Sequence, residues 1–242
     1  MKLGHKVATV FLMRMKVGSL LVYRLAVWSC DVYFALNGGI KGFNADRIPK
    51  EGGVIVAAVH LTAVDPVALA CTMRHRRLLA LAKEELWKNK IFGWLIGQIG
   101  AFPIKRGEGD TESIRMSIAV LEDGQALLVF PEGTRGDGKT LLPMNRGVAM
   151  LAKKTGVPVV PVGIVGTKPK RRGVEVAYGQ PLFYEDFKGG SEKETRERFL
   201  TALENQIAEL CTKHGLPIKT ASESKRKEPA DLPGPQAESP TA

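Results

Sequence analysis

His60 and Asp65 are the two side chains in this 242-residue chain whose types and spacing best suit acid–base chemistry. They lie in Val59-His60-Leu61-Thr62-Ala63-Val64-Asp65-Pro66. An imidazole titrates near neutrality, at an unperturbed pKa of about 6.5, so it can take a proton from a hydroxyl. A carboxylate bonded to one ring nitrogen would fix the tautomer that leaves the other free to accept. Residues five apart do not share a face of a straight helix, so the two groups meet only if the chain turns between them. The flanks predict such a turn. Residues 53–59 are apolar and largely β-branched, the pattern of a strand buried on both faces. Asp65 before Pro66 reads as an N-cap with proline at the first helical position, opening a helix through Ala68, Leu69 and Met73. Asp65 also has a plainer reading as that cap alone, and His60 as an ordinary loop histidine.

Two other loops carry groups that complement an anion. Ala101–Ile104 is strand-like and ends in Lys105-Arg106-Gly107; residues 126–130 form a further apolar strand ending in Pro131-Glu132-Gly133-Thr134-Arg135-Gly136-Asp137-Gly138. Glycines permit close backbone approach and arginine offers a planar fork of donors, so such loops can surround a phosphate. Each taken singly also reads as a solvated turn.

The elements that must position these groups alternate in type. Residues 78–82 read as a buried strand and residues 83–98 as a helix. Its Leu86, Trp87, Ile91, Phe92, Trp94 and Leu95 are expected in the core, with an acyl channel as the other use of such a set. Asp110 caps a helix through Ile114, Ile118 and Leu121, which stops at Asp123-Gly124. Residues 145–155 form a helix closed by Gly156, followed by a strand over 157–165 whose prolines at 158 and 161 predict an edge or irregular strand. Residues 174–178 are one more strand. Ser191 with Glu194 is a capping box opening a helix with Phe199, Leu203, Ile207 and Leu210 on one face. Alternating strand and helix predicts an α/β domain with a largely parallel sheet flanked by helices. Ligands in such sheets gather at the carboxyl ends of strands, where His60, Arg106 and residues 132–135 would converge.

Composition sets the outer bounds. At 44% hydrophobic residues, the chain can fill one core, and its formal net charge of +10 favours anionic partners, whether nucleic acid, membrane or phosphorylated substrate. No nucleic-acid recognition motif accompanies the charge. Cys30, Cys71 and Cys211 have no paired spacing and read as reduced thiols. Residues 2–36 are apolar but interrupted by Lys6, Arg14, Lys16, Arg24 and Asp31, short of the roughly 18 to 20 uncharged residues a span requires. On a helical wheel Val7, Phe11, Met15, Gly18, Val22 and Leu25 form one stripe with lysines largely opposite, which suits either the membrane interface or packing on the domain's own core. The expected organisation is an amphipathic region over 1–40, an α/β domain over 41–218 and a disordered tail over 219–242, where Ser, Glu, Lys, Pro and Ala dominate.

Taken together, four ordered blocks resemble the glycerolipid acyltransferases, most closely the bacterial lysophosphatidate acyltransferases. They are His60 with Asp65, Phe102-Pro103-Ile104-Lys105-Arg106, Phe130-Pro131-Glu132-Gly133-Thr134-Arg135, and Val157-Pro158-Val159-Val160-Pro161. The resemblance implies an O-acyltransferase in which His60 is general base and Asp65 its partner, with Arg106, Glu132, Gly133, Thr134 and Arg135 around the substrate phosphate. It implies acyl-CoA or acyl carrier protein as donor, a lysophospholipid as acceptor, no cofactor, and a peripheral or monotopic place on the cytoplasmic face of an anionic membrane. Two positions depart from the family pattern: Val59 stands where asparagine is common, and Gly136 where serine often follows the arginine. Other acceptors, among them glycerol phosphate, are compatible with the same motifs. A non-catalytic lipid-binding protein is the alternative of another class. A metal-dependent hydrolase is disfavoured, because the histidines at 5, 60, 75 and 214 lack ligand-like spacing.

Overall fold

The structure, a computed structural model, describes residues 19–98, 100–104, 111–167 and 173–226. Among these residues seven strands form one sheet: β1 (Ile40–Phe43), β2 (Val54–Ala58), β3 (Leu78–Lys83), β4 (Ala101–Ile104), β5 (Ala126–Val129), β6 (Val159–Val165) and β7 (Val174–Tyr178). Their order is β1-β7-β6-β2-β5-β3-β4, parallel throughout except for β6 against β7. The α/β class and largely parallel sheet expected from the alternating pattern are therefore present. β2 lies in the middle, and all five of its residues are buried, because apolar side chains on both faces are covered.

Among the described residues, seven helices flank the sheet: α1 (Ser19–Leu36), α2 (Asp65–Thr72), α3 (Lys90–Gln98), α4 (Thr111–Glu122), α5 (Arg146–Thr155), α6 (Glu192–Lys213) and α7 (Ala221–Arg226). α4, α5 and α6 form one packed series, while α1 packs on both α2 and α3. The capping box of α6 is formed: Glu194 N–H donates to Ser191 Oγ at 3.3 Å, and Ser191 N–H to Glu194 Oε2 at 2.8 Å. Phe199, Leu203 and Ile207 line its buried face as the spacing predicts, but Cys211 rather than Leu210 continues the stripe. The helix also approaches the sheet closely. A Cβ on Gly163 of β6 would stand 2.8 Å from Leu210 Cβ and 3.0 Å from Cys211 N, so only glycine lets α6 lie this near the sheet.

One strand is unannounced and three expectations need revision. β1 is short and half polar, and its partner among the described residues, β7, lies far along the chain, so no local pattern announces it. The strand over 159–165 is interior, between β7 and β2, despite its prolines. Pro161 is tolerated because its missing N–H falls on the β7 side, where the ladder carries one extra residue between the Val162–Tyr178 and Val159–Leu182 pairs. Its carbonyl still accepts Gly179 N–H at 2.8 Å. The side chains expected in the core from 83–98 divide: Trp87 is partly covered, whereas Ile91 is 81% and Trp94 57% exposed.

The expected tail, finally, does not begin at 219. Lys219 pairs with the 139–141 segment through Lys219 N–H to Lys139 O at 2.9 Å and Leu141 N–H to Lys219 O at 2.8 Å. Thr220 is buried and exchanges hydrogen bonds with Glu223, which opens α7. Threonine and glutamate look like tail composition, but here Thr220 and Glu223 satisfy each other's backbone N–H at a helix start. A chain ending at Ile218 should consequently unfold at a lower temperature than one ending at Arg226, with both compared by calorimetry; equal melting temperatures would show that the pairing contributes nothing.

Candidate active site

His60 follows β2 and Phe130 follows β5, two adjacent parallel strands in which Ala57 is level with Val129. Both loops therefore leave the sheet at the same end. His60 Nδ1 lies 3.0 Å from Asp65 Oδ2, so the turn anticipated between them closes. The helix starts one residue earlier than the Asp-Pro pair suggests: Val64 occupies the N-cap position, and Asp65 and Pro66 are already in the first turn. Asp65 makes no forward capping bond. Its carboxylate instead folds back over the loop, where Oδ2 accepts Leu61 N–H at 2.6 Å and Thr62 N–H at 2.7 Å, and Oδ1 accepts the Thr62 hydroxyl at 2.9 Å.

Asp65 is fully buried. Burial alone would raise its pKa, but the hydrogen bonds from His60 and the Thr62 and Leu61 backbone outweigh that cost and hold the carboxyl below its usual range. An ionised Asp65 requires a donor at Nδ1, which leaves Nε2 as the ring nitrogen able to accept a proton. His60 keeps 17% side-chain exposure, enough for a reactant to reach it. The Phe130 ring stacks on the imidazole at 3.9 Å between centroids and 15° between planes. Phe130 belongs to the quoted motif, but its sequence position alone did not mark it as the residue that fixes the histidine's face.

Glu132 is also buried, at 6% exposure, and both its oxygens are committed to backbone. Oε1 accepts His60 N–H at 3.1 Å and Oε2 accepts Leu142 N–H at 3.0 Å. Gly136 N–H returns a bond to His60 O at 2.8 Å. Burial raises the Glu132 pKa against the lowering effect of those two backbone donors. A buried carboxylate engaged in this way braces three loops, so the expectation that Glu132 itself contacts a substrate phosphate does not fit its position.

Gly133 adopts φ +71°, and a Cβ there would fall 2.5 Å from Asn145 Nδ2. The turn thus requires glycine and carries Thr134 and Arg135, both exposed, next to the segment bonded to His60. Arg106, with the rest of 105–110, lies outside the described residues, as do residues 1–18 of the expected amphipathic helix. No thiol is among the described contacts of His60. Cys71 is buried in α2, and both a hydrogen bond with Cys30 and burial push its thiol upward. Among the described residues, no group of three or more His, Cys, Asp or Glu side chains gathers to hold a metal ion.

Residues 40–165, which run from β1 through β6, match the family described as Acyltransferase. The chain belongs to the acyltransferase family. It is 29% identical over 197 residues to a 1-acyl-sn-glycerol-3-phosphate acyltransferase of Bacillus subtilis, covering 79% of this chain and 98% of that one. To the Streptococcus pneumoniae protein of the same name it is 33% identical over 171 residues, or 68% of this chain and 61% of the relative. The crystal structure of the 1-acyl-sn-glycerophosphate acyltransferase from Thermotoga maritima superposes with a TM-score of 0.64 at 26% identity, covering 84% of this chain and 87% of that one.

Three outcomes follow from the geometry. Asp65→Asn replaces an acceptor by an amide that cannot select the Nδ1–H tautomer, so acyl transfer should fall by about 10²- to 10⁴-fold with KM little changed. Because the Asp65 pKa is depressed on folding, its contribution to stability is fully present above the unfolded value and lost as pH falls through the folded one. Urea midpoints compared at neutral and strongly acidic pH should therefore differ less in Asp65→Asn than in the parent. Glu132→Gln sets an amide donor against a backbone donor and should cost about 1 to 3 kcal/mol of stability. Denaturation at pH 7 tests this, and an unchanged midpoint would remove Glu132 from its bracing role.

Proposed function

We propose that this protein transfers an acyl group from a thioester, acyl-CoA or acyl carrier protein, to the free hydroxyl of lysophosphatidate, yielding phosphatidate. The observation that carries the reading is the His60–Asp65 pair held beside the 131–136 turn, in a member of the acyltransferase family. Its relatives from B. subtilis and S. pneumoniae bear that activity in their names.

In the proposed reaction Nε2 of His60 accepts the proton of the acceptor hydroxyl as its oxygen attacks the thioester carbon. Asp65 stabilises the imidazolium that forms. The tetrahedral intermediate then expels the thiolate, which takes the proton back from His60, so no covalent acyl-protein is formed. The chain has no Gly-x-Ser-x-Gly elbow. General-base help of this kind contributes about 10²- to 10⁴-fold, and holding the acceptor in place adds its own share. Arg135 and Thr134, exposed on the turn that Gly133 permits, would engage the acceptor phosphate; Arg106 is assigned to the same task from its motif. Glu132 acts beneath them by fixing the loops.

The membrane is the natural source of such an acceptor, and the net charge of +10 favours an anionic cytoplasmic leaflet. Among the described residues no helix is long and apolar enough to cross a membrane. α1 is nonetheless two-sided: Tyr23 and Phe34 are buried, while Leu21, Leu25, Trp28, Val32 and Leu36 form an exposed apolar row at spacings of three and four. That row supports peripheral or monotopic attachment.

The test is product formation by the purified protein in anionic vesicles containing lysophosphatidate, with the two donors offered separately. Phosphatidate should appear with the parent and fall by about 10²-fold or more with His60→Ala. Arg135→Ala should chiefly raise the KM for the acceptor. Near-normal turnover by His60→Ala would overturn the base assignment, and silence with every lysolipid and glycerol phosphate would overturn the reading itself.

A further inference from the structure

α3 leaves two large apolar side chains in solvent that its sequence would place in a core. Ile91 and Trp94 are three apart, so they share one face of the helix, and they are 81% and 57% exposed. The inner side of the same segment is well packed: a Cβ on Gly93 would stand 2.7 Å from Trp87 Cδ1. Trp87 is half-buried against Gly93 of α3 itself, whereas Trp94 stands in solvent. α3 packs on α1, whose own outer row is exposed and apolar, so the two helices contribute to neighbouring parts of the surface.

The charges nearby select the occupant. Lys88 and Lys90 flank the start of α3, and Arg24 lies on α1; all three are exposed. Glu84 and Glu85, also exposed, stand in the first turn of the preceding 3-10 helix, before Lys88 in the chain. Cations around apolar side chains match an anionic lipid leaflet, in which lysine stems lie along the acyl boundary with their ammonium groups among the headgroups. A second copy of a chain with net charge +10 would instead bring like charges together.

We propose that α3 is a second membrane contact, separate from the amino-terminal helix, and that Ile91 and Trp94 insert into the acyl boundary of an anionic phospholipid leaflet beside the outer row of α1. This rests on the reading that the acceptor is a membrane lipid. Two contacts from different parts of the chain fix the domain's tilt as well as its distance from the bilayer. A single helix would leave it free to swing.

The experiment uses the full chain and vesicles of phosphatidylcholine with phosphatidylglycerol. In a protein whose only tryptophan is Trp94, made by Trp28→Phe and Trp87→Phe, emission should shift to the blue on vesicle addition and be quenched by lipids brominated on the acyl chain. Ile91→Ser with Trp94→Ser should weaken vesicle partitioning by about tenfold or more, given the apolar area withdrawn from water, while Ile91→Leu with Trp94→Phe should restore it. Melting temperatures check that all variants fold, and transfer to detergent-dispersed lysolipid should be equal in parent and serine variant. Emission unmoved by vesicles, unchanged partitioning, or failure of the parent to bind would each overturn the proposal. So would a dimer that dissociates in the serine variant, since the face would then belong to a second copy. Quenching of Trp94 without acyl transfer would leave the membrane contact standing and remove the catalytic reading, which separates the two.

Discussion

A fully buried carboxylate must be surrounded by donors, and Asp65 meets that requirement from a stretch of only six residues. Two backbone N–H groups, one hydroxyl and one imidazole converge on it. The loop between β2 and α2 has little freedom once these bonds are made, because any other path would leave the ionised group without partners at a cost of several kcal/mol. The orientation of His60 is thus a by-product of keeping Asp65 charged. The plainer role of Asp65 as a helix cap and the functional one do not compete here, since the residue organises the helix start by turning its side chain away from the helix.

Glu132 extends the same logic outward. It joins the backbone of His60 to Leu142, while Lys219 pairs with the segment just before Leu142. Hydrogen bonds joined by short backbone links therefore run from the imidazole-bearing loop to helix α7. Phe130 closes the arrangement from the side, with its ring against the imidazole face. Four sequence regions share the work of fixing one histidine. The exposed turn at Thr134 and Arg135 carries none of that load and is free to serve a ligand.

What could be read in the sequence depended on whether the cause was local. Strands β2, β3, β5 and β7 follow from short apolar runs, and α5 and α6 from their glycine stop and capping box, all of which act within a few residues. The His60–Asp65 contact was legible because a strand, a turn and a proline-marked helix start fix the path between them. β1 was not, because its pairing with β7 is decided far along the chain. Pro161 misled because its tolerance depends on an irregularity in the neighbouring strand, and Glu132 because a carboxylate in a motif shows its charge but not its depth. Residues 219–226 failed on composition, which cannot register a backbone partner at 139–141.

The position of β2 has a cost during synthesis. It is the most thoroughly buried strand, yet both of its neighbours, β5 and β6, come later in the chain. While the ribosome makes the intervening stretch of roughly a hundred residues, on the order of ten seconds at ordinary elongation rates, its apolar backbone edges have no native partner. A nascent chain in this state is open to pairing with its own kind. The placement that lets two late loops close around an early histidine thus leaves the most buried strand waiting for partners made later.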